Sequence, residues 1–142
     1  MTALHPLRRH GGTAVRSLNP AGWDRMPGFD QGQLRAVGEI LTVAAQGPLD
    51  ERGRLLHDGD LAAQLALSAA NFEAVLTAAG MTWPNVAQLR ICTTDMDGLL
   101  DVLDTLTDHL GEAAAHPPVS LAEVRRLPLV GMAVTLDGLA LR

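Results

Sequence analysis

The acid near the end of the chain, Asp137, is the residue whose surroundings most suggest chemistry. It lies in the apolar run AVTLDGLAL, where Thr135 is the nearest polar neighbour. A carboxylate in such a strand either points to solvent on the side of Thr135 or borders a cleft. In a cleft, desolvation favours the protonated acid and suits it to proton transfer near neutral pH. Periodicity alone leaves both alternatives open.

Other residues capable of chemistry lack the spacing that a site needs. Cys92 lies in a predicted strand, where a small buried hydrophobic side chain is the simpler role. Ser120 has no Gly-x-Ser-x-Gly motif around it, and no phosphate-binding glycine loop occurs. The histidines are His5, His10, His57, His109 and His116. None of them pairs at a metal-ligand spacing, so the sequence predicts no metal site and no cofactor.

Composition predicts one globular domain that binds no nucleic acid. The chain has 142 residues, 47% of them hydrophobic and 3% aromatic, and its formal net charge is −5. Aliphatic side chains must therefore fill the core, and no excess of basic residues is available to neutralise phosphates. A single cysteine indicates a reducing cytoplasm. No apolar stretch reaches the ~20 residues of a membrane span, and no signal peptide is recognisable, so we expect no membrane partner.

The N-terminal part of the chain divides into a tail and the start of a domain. The sequence of residues 1–28 predicts a polar, glycine-containing tail that is partly flexible or paired only at its end. Residues 29–142 are predicted to form a single domain. The first element of the domain is a buried strand at Ile40–Val43, bounded by Gly38 and by Gly47-Pro48. The preceding segment FDQGQLRAV predicts a partner strand for it that ends at Gly38.

The strongest helix signal covers residues 60–79. Apolar residues recur there at intervals of three and four, which places them on one helical face. Asp58, Gly59 or Asp60 caps its first turn, and Gly80 follows it as a C′ residue.

The C-terminal half predicts a strand, a second helix and two more strands. The segment NVAQLRICTTD alternates between apolar and polar residues, as a half-buried strand does. The second helix begins at Asp95 or Asp97, buries a stripe of leucines and ends at Gly111. The last two strands are Val119–Val124 and Met132–Leu141.

The order of these elements indicates an α+β fold. Each helix lies between strands, and two helices are too few to cover both faces of the sheet. We therefore expect a mixed β-sheet with both helices packed on one face. The other face would remain apolar and uncovered, which predicts oligomerisation.

Three segments together resemble the Rid (RidA/YjgF) family. VGEILTVAAQGPLDERGRL is similar to the family's strand and hairpin with Val-Ser-Gly-Gln-x-Pro. LAAQLALSAANFEAVLTAAGMTWPNVAQLRICTTDMD is similar to its helix, Ala-Gly turn and strand ending in Thr-Asp. HPPVSLAEVRRLPLVGMAVTLDGLALR resembles its ending, Pro-Ala-Arg-Ser followed by Leu-Pro and an apolar strand with Glu. The resemblance covers residues 29–142.

This resemblance implies a chorismate-mutase-like fold, a homotrimer and three equivalent pockets between subunits. In active members of the family an Arg after Pro-x binds the substrate carboxylate, and an acid on the last strand positions a water. That water hydrolyses an imine or enamine and releases ammonia, while a Tyr early in the chain closes the pocket.

The carry-over of these residues is partial. The Arg position is Val119, and the acid position is Asp137, one methylene shorter than the family Glu. The remaining pocket positions are all apolar in this chain. They are Phe29 for the Tyr, Ala44-Ala45 for Ser-Gly, Leu103 and Leu106 for an Asn and a Tyr, and Leu121 for a Cys.

Two functions remain open on these residues. The first is hydrolysis, without metal, of an imine, enamine or carbamate-like substrate other than 2-aminoacrylate. Asp137 would be its catalytic group, and Phe29, Ala45, Leu103, Val119 and Leu121 would form the ligand-binding wall. The second is a non-catalytic trimer that binds a small ligand or serves as a scaffold. A ribonuclease or translation-inhibitor activity, which is attributed to some relatives, would need a basic surface that the net charge of −5 does not indicate.

Overall fold

A computed structural model describes residues 2–4, 8–10, 13–24, 27–36 and 38–142. The first sheet contains β1 (Thr2–Leu4), β2 (Arg8–His10), β3 (Thr13–Pro20) and β4 (Gly32–Arg35). The second sheet contains β5 (Ile40–Gln46), β6 (Val86–Thr93), β7 (Val119–Glu123) and β8 (Val134–Leu141). The helices are α1 (Leu61–Ala78) and α2 (Met96–Glu112), and a 3-10 turn spans Trp83–Asn85.

The second sheet is the mixed sheet that the sequence predicts. Its strand order is β5-β8-β6-β7. The strand β8 is antiparallel to both neighbours, whereas β7 is parallel to β6. A parallel neighbour requires a crossover, and α2 provides it between β6 and β7.

Both helices pack on the same face of this sheet, as predicted. The helix α1 contacts β5, β8 and α2. Buried residues of the two helices and of the strands β5, β6 and β8 form one hydrophobic core. Its fully buried side chains include Phe72 and Leu76 of α1, Leu99 of α2 and Leu136 of β8. By length and composition α1 is the one described helix apolar enough to cross a membrane, but it covers this sheet, as a core helix does.

The helix ends follow from local chemistry. Asp60 is the N-cap of α1, and its side chain accepts a hydrogen bond from the backbone N–H of Ala63. Gly80 follows the helix with a φ of 69°, the left-handed conformation that favours glycine. Asp95 caps α2 in the same way. The predicted end at Gly111 is wrong by one residue: α2 continues to Glu112, and Ala113 is its C-cap.

The first sheet corrects two predictions about the N-terminal part of the chain. The segment FDQGQLRAV does contain a strand, β4, but it pairs with β3 and not with β5. The strand β3 lies within the predicted tail, so pairing there is more extensive than predicted. Pairing with β3 is favoured because Asp30, next to β4, accepts hydrogen bonds from Ser17 and Asn19 of β3 at 2.5 and 2.9 Å. Residues 1, 5–7, 11–12, 25–26 and 37 lie outside the described residues.

The face of the second sheet that the helices leave uncovered, which we call the outer face, is less apolar than predicted. Alternation along β6 and β8 points one set of side chains to the core and the other set outward. The outward set on these two strands comprises Gln88, Arg90, Cys92, Thr135, Asp137 and Leu139. The outer face therefore carries a charged pair among its apolar and small residues.

Candidate functional site on the outer face

Asp137 forms an ion pair with Arg90 at the centre of the outer face. The two residues are direct partners in the antiparallel pairing of β6 and β8. The Nε of Arg90 donates to Oδ2 of Asp137 at 3.0 Å. Hydrogen bonding to Asp137 and its negative charge raise the pKa of the Arg90 guanidinium above its usual value. The Arg90 guanidinium therefore keeps its positive charge throughout the physiological pH range.

The ion pair lines a shallow recess with one unused carboxylate oxygen. Gln88, Gly138 and Leu139 complete the lining, and the volume is about 200 Å³. The Asp137 side chain is 20% exposed and that of Arg90 is 58% exposed. Among the described residues nothing donates a hydrogen bond to Oδ1 of Asp137. The recess thus presents a fixed carboxylate with a free oxygen.

A β-bulge places Ala45 beside Asp137. Val43 pairs with Gly138 and Gln46 pairs with Leu136, so Ala44 and Ala45 together oppose the single residue Asp137. Ala45 is exposed and also lines an open groove of about 540 Å³ against the exposed side of α1. Two of the six predicted site residues, Ala45 and Asp137, are thus neighbours across the bulge, but Ala45 lines this groove and not the recess of Asp137.

The other four predicted site residues lie on the core side of the sheet. Phe29 is 7% exposed and Leu103 is 6% exposed, and both belong to the hydrophobic core. Val119 and Leu121 pack against that core from β7. Their pairing partners Leu89 and Ile91 are fully buried, which confirms the direction in which they point. Within one chain, Asp137 consequently does not face Val119 or Leu121.

Phe29 is held in place by its neighbour Asp30. The backbone N–H of Asp30 donates to the carbonyl oxygen of His116 at 2.9 Å, just before β7. Its carboxylate accepts a hydrogen bond from Gln33, which in turn accepts from Arg35. Burial lowers the pKa of the Arg35 guanidinium, and the Asp30 charge partly offsets this effect. This network fixes Phe29 against the end of α2 and the start of β7.

Arg90 is the functional candidate that the sequence did not identify. The alternation of NVAQLRICTTD already places it on the polar side of its strand, with Gln88 and Cys92. Its contact with Asp137 depends on the direct pairing of β6 with β8, whose order in the sheet is not encoded locally. Pairing of β7 with β6 adds Ser120 on the other side of Arg90.

No metal centre is formed by the part of the chain that the structure describes. In those residues no group of three or more His, Cys, Asp or Glu side chains is close enough to hold a metal ion. The chemistry available at the recess is therefore that of a carboxylate and a guanidinium.

Comparison with known proteins extends over most of the chain. The family model described as endoribonuclease L-PSP matches residues 28–142. A RutC family protein of Pyrococcus horikoshii is 29% identical over 96 residues, which cover 68% of this chain and 75% of that protein. A RutC family protein of Pyrococcus abyssi is 27% identical over 96 residues, which cover 68% of this chain and 74% of that protein.

Solved structures give the same result for the fold. YyfB of Yersinia pestis, a Rid family protein of unknown function, superposes with a TM-score of 0.83 at 25% identity. The match covers 90% of this chain and 98% of YyfB. YjgF of E. coli superposes with a TM-score of 0.67 at 26% identity, covering 80% of this chain and 87% of YjgF. The chain belongs to the endoribonuclease L-PSP family, in which its structural relatives are the Rid and YjgF proteins.

Proposed function

We propose that this protein is a Rid-like hydrolase, a homotrimer with a small-molecule pocket at each subunit boundary. The substrate is an imine, enamine or carbamate-like compound other than 2-aminoacrylate, and Asp137 positions the attacking water. The observation that carries the proposal is the Asp137 carboxylate, whose Oδ2 is held by Arg90 while its Oδ1 is free in a recess of about 200 Å³. A carboxylate held by one oxygen can accept a hydrogen bond from water through the other.

The proposed reaction needs one base and no cofactor. For an imine, the water oxygen bonds to the carbon of the C=N group while a water proton passes to Oδ1 of Asp137. The same proton is then delivered to nitrogen. Asp137, ionised again, then takes the hydroxyl proton of the carbinolamine and passes it to the nitrogen as the C–N bond breaks. This step leaves a carbonyl compound and ammonia, with Asp137 in its ionised form.

A second subunit is needed to complete the proposed pocket. Asp137 lies on the outer face and Ala45 beside it in the bulge of β5, whereas Phe29, Leu103, Val119 and Leu121 lie on the core side. Phe29 and Leu103 are buried in the core of their own chain, so a neighbouring copy can bring only the half-buried Val119 and Leu121 of its edge strand β7 to the recess of the first. Val119 stands where the resemblance implies the arginine that orients 2-aminoacrylate, which is why a substrate other than 2-aminoacrylate is proposed.

Substitution of Asp137 tests the hydrolase directly. In a panel of imines, enamines and carbamates, ammonia release by the wild type should fall about 100-fold or more in Asp137→Asn, because the substitution removes the base. Asp101→Asn is the matched control, since Asp101 is an exposed acid on α2, far from the recess. Turnover that survives in Asp137→Asn would rule out this role for Asp137.

A second candidate is binding without chemistry. It is favoured by the apolar character of the wall, because Val119 and Leu121 offer no side-chain hydrogen-bond donor to a leaving nitrogen. A ligand-dependent rise in Tm without turnover of any compound in the panel would support this function over hydrolysis.

A further inference from the structure

We infer that Arg90 is a specificity-determining residue that binds an anionic group, such as a carboxylate, on the ligand. The inference rests on the proposed function in one respect: if Asp137 lines the ligand pocket, Arg90 lines it as well. The two side chains are bonded at 3.0 Å and share one recess. Arg90 on β6 thus supplies a positive charge, whereas the family's arginine position is the uncharged Val119.

The guanidinium of Arg90 has a free edge for an anion. Its Nε donates to Oδ2 of Asp137. The terminal atoms Nη1 and Nη2 have no hydrogen-bond partner among the described residues. They form the end of a planar fork that matches the two oxygens of a carboxylate. The side chain is 58% exposed, so this edge is accessible in one chain.

The neighbours of Arg90 suit an anion on that side. Ser120 is its pairing partner on β7, and it is exposed on the same face. A hydroxyl there can add a hydrogen bond to an anion held by Nη1 and Nη2. Gln88 lines the recess two residues earlier on β6 and provides a further amide donor. On the other side of Asp137, the bulge residues Ala44 and Ala45 carry only methyl side chains.

The negative charge of Asp137 does not prevent anion binding at this position. Its Oδ2 is already paired with Nε, so the local charge of the two side chains sums to zero. An anion at the free edge is separated from Asp137 by the guanidinium itself. A ligand oriented in this way presents its uncharged part to Oδ1 of Asp137, where the proposed hydrolysis takes place.

Matched anionic and neutral probes test the inference without turnover. We would titrate the protein with propionate and with propionamide, which have nearly the same shape, and follow the ¹⁵N signal of the Arg90 Nε–H. Propionate should shift this signal in a saturable way at millimolar concentrations, whereas propionamide should bind roughly tenfold more weakly or not at all.

Three variants assign the effect to Arg90. Arg90→Gln should weaken propionate binding, measured by calorimetry, roughly ten- to hundredfold, because a charge-assisted contact is lost. Ser120→Ala should weaken it severalfold and keeps the ion pair with Asp137 intact. Arg125→Gln is the control, because Arg125 is exposed on the loop before β8 and should leave propionate affinity unchanged.

The outcomes separate this inference from the proposed function. Equal binding of propionate and propionamide, no binding of either, or unchanged affinity in Arg90→Gln would overturn the anion site. In that case, loss of turnover in Asp137→Asn would still support the proposed hydrolase function. Conversely, propionate binding that depends on Arg90 together with turnover that survives in Asp137→Asn would retain the anion site and remove the proposed catalytic role.

Discussion

Gln64 is a buried polar side chain that ties α1 to the segment before β8. It is fully buried, and its Nε2 donates to the carbonyl oxygens of His57 and Gly131 at 3.1 and 2.9 Å. Its Oε1 accepts from the backbone N–H of Ala133 at 2.8 Å. One buried amide therefore satisfies three partly buried backbone groups, two of which lie in the segment that leads into β8.

Replacing Gln64 should destabilise the fold more than its size suggests. Gln64→Leu keeps an apolar volume in place but removes the partners of the Gly131 carbonyl and the Ala133 N–H, while the His57 carbonyl keeps its hydrogen bond from the Asp60 N–H. We expect the free energy of unfolding to fall by about 2–4 kcal/mol, measured by urea denaturation. Gln31→Leu is the control, since Gln31 is exposed and should change stability by less than about 0.5 kcal/mol. Equal stability of Gln64→Leu and the wild type would contradict this account.

Asp137 could be recognised from the sequence because it interrupts an otherwise apolar strand, whereas Arg90 could not. A polar residue on the polar side of an alternating strand looks like any solvated side chain. Only the pairing of β6 with β8 shows that Arg90 lies opposite Asp137. The direction of Val119 has the same origin, because its contact with the core follows from the place of β7 in the sheet.

The helices were predictable because their signals are local. The N-caps Asp60 and Asp95, the spacing of apolar residues and Gly80 all act within a few residues of the helix that they define. The strand β4 was located correctly in sequence, but its partner was not. That partner depends on the bonds between Asp30 and the side chains of β3, which lie more than ten residues away. Strand existence is thus readable locally, and strand pairing is not.

Asp50 stabilises the turn between β5 and α1 through hydrogen bonds whose strength depends on pH. Its Oδ1 accepts from the backbone N–H of Arg54 and of Arg52, each at 2.9 Å, and its Oδ2 pairs with the Arg54 side chain. The backbone hydrogen bond from Arg54 is the main reason why the pKa of Asp50 is lowered below 3.8. The ionised carboxylate therefore favours the folded turn.

The sign of the pH effect follows from this lowered pKa. The ionised Asp50 stabilises the folded state fully at any pH above about 3.8, the pKa of this carboxyl in the unfolded chain. This stabilisation is lost as the pH falls through the lower pKa that Asp50 has in the folded state. We expect Asp50→Asn to have a lower Tm than the wild type at pH 5 and above, and the two Tm curves to converge towards pH 2. Calorimetry across this pH range measures the Tm of both proteins, with Asp101→Asn as the control. A Tm difference that stays constant at every pH would contradict this role of Asp50.

The two faces of the second sheet differ in composition and in exposure to solvent. The core side is filled by the helices and by the apolar positions Phe29, Leu103, Val119 and Leu121. The outer face carries the Arg90–Asp137 pair together with exposed apolar groups such as Ile40, which is 58% exposed. A single chain consequently holds the proposed base and the proposed wall on opposite sides of one sheet. In the proposed trimer, the recess of one copy would face the half-buried Val119 and Leu121 of its neighbour.

Oligomer mass and one substitution on the outer face test this assembly. We expect light scattering after size-exclusion chromatography to give three times the 15.0 kDa of one chain. Thr42, exposed opposite Leu139, lies on the outer face, so Thr42→Arg should bury an unpaired charge at the interface and give monomers. Thr105→Arg places the same side chain on the exposed side of α2 and should leave the trimer intact. A wild type that is monomeric at every concentration, or a Thr42→Arg variant that remains trimeric, would show that the outer face is not the interface, and the pocket proposed between subunits would fall with it.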